Sequence, residues 1–224
     1  MPDGGRADVA TSPLLTARLR LAPVTAADEA ELFALHSDPR AFREDSTEPL
    51  TDPAQMRWVL AQWRASWAEH GMGHLTVRAR KRADLPVGLL GVVGLVPLRA
   101  EPEPDHEPDH EPVLSAYWRL RPDVTGHGIA SEAMRAVLGA LPDPVAAHGS
   151  STARSTSRPR DAAPHRGMSA PREVVAITAG TNFPSLALAD RLGFRPAPPQ
   201  RPVPGGRPGD VLLVLPAAGE SPQP

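Results

Sequence analysis

The sequence predicts an α/β (α+β) domain: one mixed, mostly antiparallel central sheet flanked by about four helices. Three observations predict it. Alternating or apolar runs at 74–80, 87–98 and 113–120 follow one another with turns or a proline-rich stretch between them, which suits antiparallel neighbours. Gly126 and Gly128 then stand where an extended run turns into a helical one. Beyond that helix, Val174–Thr178 reads as a short, strong strand, and strand–helix–strand order brings in a parallel pairing.

Length and composition set the bounds. The chain has 224 residues, 41% hydrophobic, with a formal net charge of -2. That suits one domain over 13–215, between flexible tails at 1–12 and 216–224. The near-neutral charge argues against nucleic acid as a partner, which calls for clustered cations. No apolar run approaches the roughly 20 residues needed to cross a bilayer, and the N-terminus carries no signal-peptide pattern. Cysteine is absent, which excludes disulfides, a thiol nucleophile and thiolate metal ligation. A cytoplasmic protein is the simplest expectation. The 28 prolines cluster, and they mark low-complexity insertions at 100–112 and 142–171.

Taken in order, Arg18–Pro23 alternates charged and apolar residues and reads as an opening strand ended by Pro23. Thr25 and Asp28 have capping-box spacing before a short helix carrying Leu32, Phe33 and Leu35. Asp52 and Pro53 cap a second helix, in which Met56, Leu60, Trp63 and Trp67 form one apolar stripe until Gly71 and Gly73. The tryptophans there read as core or as a pocket wall. A strand over 74–80, a polar turn at 81–84 and a buried strand over 87–98 make a hairpin. The stretch 101–112 holds Glu-Pro-Asp-His twice, an exposed acidic excursion. His106 and His110 there suggest stray metal binding at most, and no metal site is expected. Val113–Leu120 is a strand, and the helix after the glycines runs to about Leu141. The arginines of 142–171 lack interleaved aromatics, so the segment reads as a solvated loop. After the strand at 174–178, Asn182 and Pro184 open a last helix that Gly193 stops. Val211–Leu215 is the final strand.

The chemistry centres on Thr125–Ala130. Two glycines before a helix expose backbone N–H groups at the positive end of the helix dipole, a nest for phosphate or pyrophosphate. A P-loop requires Gly-Lys-Ser/Thr, but Ile129-Ala130-Ser131 follows. A dinucleotide fold requires a third glycine, where Ser131 stands.

With Gly126, Gly128, Ala130, Ser131, Glu132 and Ala133 in view, the chain resembles the GNAT superfamily of N-acetyltransferases, in its RimJ/RimL-like branch. Tyr117–Pro122 resembles that branch's strand before the phosphate loop. Asn182-x-x-Ser185 and Arg191-Leu192-Gly193-Phe194 resemble its last helix, and Leu15–Leu21 its opening strand. The motifs occur in family order over roughly residues 13–215.

The resemblance implies a sheet splayed between the fourth and fifth predicted strands and acetyl-CoA as co-substrate, with no metal required. Backbone N–H groups of Thr125, Gly126, His127, Gly128, Ile129 and Ala130 would hold the pyrophosphate. Main-chain groups near Trp118 and Leu120 would pair with the pantetheine arm. Asn182 would contact that arm, cap its helix, or both. His127 would touch a phosphate or face solvent. Ser185 is the candidate general acid, against a plain packing role. The general base is unassigned: no carboxylate follows Phe194, and Glu44, Asp45, His36, His74 or a water chain stand as candidates. The implied activity moves acetyl from acetyl-CoA to a primary amine of a protein N-terminus or small molecule by direct attack on the thioester. The alternative is a non-catalytic acyl-CoA-binding or interaction module on the same fold. Neither nucleic acid nor membrane is expected as a partner, and a monomer or homodimer is expected.

Overall fold

The computed structural model describes residues 12–81, 83–98, 113–141 and 173–216. Almost all of both predicted tails, the Glu-Pro-Asp-His repeat and the stretch 142–171 lie outside the described residues. The strands are β1 (Leu14–Leu15), β2 (Leu19–Pro23), β3 (His74–Ala79), β4 (Leu89–Pro97), β5 (Val113–Leu120), β6 (Glu173–Ala179), β7 (Arg195–Pro196) and β8 (Asp210–Leu215). The helices are α1 (Glu29–His36), α2 (Pro53–His70), α3 (Ile129–Gly139) and α4 (Phe183–Leu192). One sheet takes all eight strands in the order β1-β2-β3-β4-β5-β6-β8-β7, and only β5–β6 is parallel.

That parallel pair opens the molecule. Its register runs from Val113 opposite Glu173 to Ala116 opposite Ala176 and stops there. β5 continues through Leu120 paired only with β4, and β6 continues through Ala179 paired only with β8. The two strands therefore splay, as the sequence reading expects, and β5 from Tyr117 onward turns an unpaired edge toward the gap.

Alternation along the strands builds two cores. Leu19, Leu21, Leu75, Val77, Leu114 and Ala116 pack on one face with Ile129, Ala133 and Met134 of α3 and Ala189 of α4. On the other face Leu89 and Val92 meet Leu32 and Leu35 of α1 and Met56 and Leu60 of α2. α2 begins where its sequence says. Asp52 Oδ1 accepts from the Ala54 N–H at 2.7 Å, and Gln55 Oε1 accepts from the Asp52 N–H at 3.1 Å. Gly71, at φ 66°, ends it. The Trp63 ring stacks on His74 with centroids 3.9 Å apart, and Trp67 Nε1 donates to the His74 carbonyl at 2.8 Å.

Three expectations are corrected. The strand expected over 18–23 is present as β2, but the stretch Leu15–Leu21 is not one strand: it turns back on itself, with Leu14 of β1 opposite Leu21 and Leu15 opposite Arg20. β4 begins at Leu89, and Val87 is 95% exposed rather than part of a buried strand. α3 ends at Gly139 rather than near Leu141, since the Ala140 and Leu141 N–H groups turn to carbonyls three residues back.

Candidate active site

The splay leads into a cleft of about 1340 Å³. Its walls are the free edge of β5, the N-terminal turns of α3 and α4, and the connection between α1 and α2. Of the residues singled out in the sequence, Trp118, Leu120, Thr125, Gly126, Gly128, Ile129, Ala130, Asn182 and Ser185 line it. His127 does not. Its ring is exposed, with Nδ1 2.9 Å from the Thr125 carbonyl oxygen.

The glycine turn is shaped by backbone conformation. Gly126 and Gly128 have φ of 82° and 75°, a region that costs an L-residue roughly 1–2 kcal/mol. A Cβ at Gly126 would meet no protein atom within 4 Å, so inside the protein itself the conformation is what requires glycine there. Gly128 is the N-cap of α3 and offers no side-chain acceptor. The first-turn N–H groups of Ile129, Ala130 and Ser131 consequently find no acceptor among the described residues. Donors left open at a helix start carry the dipole's partial positive charge into the cleft.

A buried-edge ion pair clamps this turn. Glu132 accepts from the Arg18 backbone N–H at 2.9 Å, from Arg18 Nε at 2.7 Å and from the Thr16 hydroxyl. Arg18 Nη1 donates onward to the His127 carbonyl at 3.0 Å. Burial raises the Glu132 carboxyl, but those hydrogen bonds outweigh it and hold the group below its ordinary range. The clamp thus ties the opening hairpin to the phosphate-loop candidate.

Six arginines and three carboxylates line the cleft. Glu132 is engaged by Arg18, and Asp45 by Arg119. Arg135 on α3 and Arg191 on α4 have no carboxylate partner among the described residues, which leaves positive charge beside the open helix start. At the other end Glu44 is the lining carboxylate without an ion-pair partner among the described residues.

Sequence reasoning assigns no role to Arg119. Its guanidinium lies 3.7 Å from the centroid of the Phe42 ring, donates to the Ala41 carbonyl at 2.6 Å and meets Asp45 at 2.5 Å. Its Nε donates to the Tyr117 hydroxyl at 3.0 Å. Arg119 therefore staples the α1–α2 connection to β5. The run Ser115, Tyr117, Arg119 on one face of an otherwise apolar strand is the signal that could have found it.

His36 and His74 sit behind this staple and do not line the cleft. The Tyr117 hydroxyl is 3.0 Å from His36 Nε2, and His36 Nδ1 is 2.8 Å from the Leu32 carbonyl oxygen. Burial raises Tyr117 more than Arg119 lowers it, so the phenol keeps its proton and donates to Nε2, while Nδ1–H donates to Leu32. Burial pushes His36 down to about 4. Burial, then repulsion from His36, pushes His74 down to about 3, and its buried Nδ1 has no hydrogen-bond partner among the described residues. Both are neutral packing groups.

A pH dependence follows. The unfolded chain takes up these protons near pH 6.5, while the folded chain resists until about 4 and 3. Stability is fully present above pH 6.5 and falls as pH drops through that window. Between its unfolded and folded titration points, each histidine costs about 1.4 kcal/mol for every pH unit of acidification. His74→Phe keeps the stack on Trp63 and removes one of the protons. Its urea midpoint is expected to fall less between pH 7 and pH 5 than that of the wild type, and equal falls would contradict the assignment.

Residues 18–195 match the family model described as "Acetyltransferase (GNAT) domain". The chain belongs to the GNAT acetyltransferase family. Among solved structures, this GNAT chain is similar to an acetyltransferase from Agrobacterium tumefaciens str. C58, at 21% identity and TM-score 0.62, over 91% of this chain and 94% of that one. It is also similar to the Salmonella typhimurium acetyl transferase that modifies the N-terminal serine of 50S ribosomal subunit protein L7/L12. There identity is 15%, TM-score 0.60 and coverage 91% and 97%. A third is the Microcin C7 self-immunity acetyltransferase MccE in complex with acetyl-CoA and AMP, at 15% identity, TM-score 0.56 and coverage 89% and 92%. Among curated proteins none matches. Identities this low carry the fold, and the family model carries the family. Among the described residues of this GNAT domain no helix is long and apolar enough to cross a membrane.

Proposed function

We propose that the protein transfers acetyl from acetyl-CoA to a primary amine of a protein N-terminus or small molecule, within the RimJ/RimL-like branch. The observation that carries the reading is the open N-terminus of α3, Gly126 to Ser131, facing the same cleft as the unpaired edge of β5. The N–H groups suit a pyrophosphate, and Arg135 and Arg191 add charge for further phosphate oxygens. The β5 edge from Tyr117 to Leu120 suits the amides of the pantetheine arm, received as an added strand would be. Asn182 caps α4, its Oδ1 accepting from the Ser185 N–H at 3.1 Å, and it lines the cleft with its amide N–H groups making no bond among the described residues.

In this reading the thioester points toward the α1–α2 connection. Glu44 accepts the proton that an ammonium must shed, directly or through water. The neutral amine forms the new N–C bond, the C–S bond breaks, and a proton from the amine ends on sulfur. Ser185 donates to the sulfur as charge develops there. Much of the acceleration comes from holding amine and thioester in register. MccE, seen with acetyl-CoA, supports the co-substrate.

Calorimetric titration with acetyl-CoA should give saturable one-to-one binding, and thiol release should appear with at least one member of an amine panel that includes short peptides with free N-termini. No binding would sink the proposal. Binding without turnover on every acceptor would favour a non-catalytic acyl-CoA module instead.

A further inference from the structure

Ser185 and Trp118 meet across the splay. Trp118 extends from β5 and Ser185 stands in the first turn of α4, and Trp118 Nε1 lies 3.1 Å from Ser185 Oγ. Indole N–H is a donor and nothing else, so the direction of this bond is fixed: Ser185 accepts. A serine hydroxyl has one proton and two lone pairs, and Trp118 occupies one lone pair. The Ser185 backbone N–H donates to Asn182 Oδ1 at 3.1 Å, and the Asn182 carbonyl one turn back takes the Leu186 N–H at 3.0 Å with no bond from the Ser185 hydroxyl. The Ser185 proton has no acceptor among the described residues, and both side chains line the cleft. The Trp118 ring is braced in turn by the edge of Phe194, with centroids 6.4 Å apart.

From this geometry we infer that Trp118 is a positioning residue that sets the polarity of Ser185, engaging one lone pair of the hydroxyl and leaving its proton free to be donated into the cleft. The inference rests on the proposed acetyl transfer, and it gives the indole a role separate from any main-chain contact of β5 with a bound arm. With one lone pair held by the indole, the hydroxyl can turn its hydrogen toward a departing sulfur without first breaking a bond in which it is the donor.

The test joins a contact readout with a catalytic one. The four tryptophans give four indole N–H signals in a ¹⁵N spectrum of the free protein. The signal missing from Trp118→Phe is expected to shift in Ser185→Ala, and an unmoved signal would overturn the inference whatever the kinetics show. With acetyl-CoA saturating, Trp118→Phe is expected to lower kcat about three- to tenfold with KM for acetyl-CoA within about twofold. Ser185→Ala should lower kcat at least as much, and the double variant no further than Ser185→Ala. Ser185→Thr, which keeps a hydroxyl, should recover most of the rate. Multiplicative losses in the double variant, or a loss confined to KM, would overturn the inference while leaving the transferase reading intact. A wild-type protein that releases no thiol would instead remove that reading, and with it any catalytic role for the pair.

Discussion

Gly126→Glu should lose acetyl-CoA affinity by a hundredfold or more and still fold. The fold survives because a Cβ there meets no protein atom, and the left-handed φ of 82° alone costs roughly 1–2 kcal/mol. For a domain of this size that is a Tm drop of about 2–8 °C. The binding loss has a different origin. The new carboxylate stands at the open start of α3 and competes for the same N–H groups. At about 5 Å from a phosphate charge it adds roughly 3 kcal/mol of repulsion at an effective dielectric constant near 20. Calorimetry and a thermal melt on the same sample separate the two effects. Unchanged affinity in the folded variant would mean that the nest does not hold the pyrophosphate.

Arg119→Ala should fail at the opposite end of the cleft. The side chain is only 10% exposed, and its removal leaves Asp45, the Ala41 carbonyl and the Tyr117 hydroxyl without their donor. Breaking one side of such a pair costs about 3–5 kcal/mol when burial is complete, so about 3 kcal/mol is expected here. The functional signature is more telling. The α1–α2 connection would come loose from β5, raising KM for the amine at least tenfold while the dissociation constant for acetyl-CoA stays within about threefold. Arg119→Lys should not rescue it, because an ammonium cannot span Ala41, Asp45 and Tyr117 as the planar fork does. A change confined to acetyl-CoA binding would place the acceptor elsewhere.

What is legible in the sequence is local. Asp52-Pro53 and Gly71 mark α2 because capping and left-handed glycine are chemistry of neighbouring residues. Val113–Leu120 shows both its boundaries, since a proline-rich stretch and a proline bracket it. The hairpin of Leu14–Leu15 escapes because two residues carry no period. The staple escapes for another reason. Arg119 reaches Asp45 across 74 positions and Tyr117 reaches His36 across 81. Such partners are chosen by the packed sheet, and nothing in either local stretch announces them. The candidate site divides the same way. The glycine turn, Asn182 and Ser185 lie in short motifs that a reader of the bare chain can pick out. The clamp of Arg18 on Glu132 and the bond from Trp118 to Ser185 depend on how the ends of the chain come together.

The short parallel register between β5 and β6 carries a mechanical consequence. It is a seam between two half-sheets, β1 to β5 with α1 and α2, and β6 to β8 with α4. Across it the strands pair only from Val113 to Ala116. Beyond them the junction is side-chain contact: Trp118 meets Ser185 and Phe194, and α3 packs on α4 with Met134 and Ala189 taking part. Such a seam is where a sub-global opening would begin, with the C-terminal half detaching as a unit. A molecule lying along the free edge of β5 would bridge the two halves just past the point where their own hydrogen bonds give out. The co-substrate would then act as a rivet as well as a reagent, and the cohesion of the folded chain would rise and fall with its concentration.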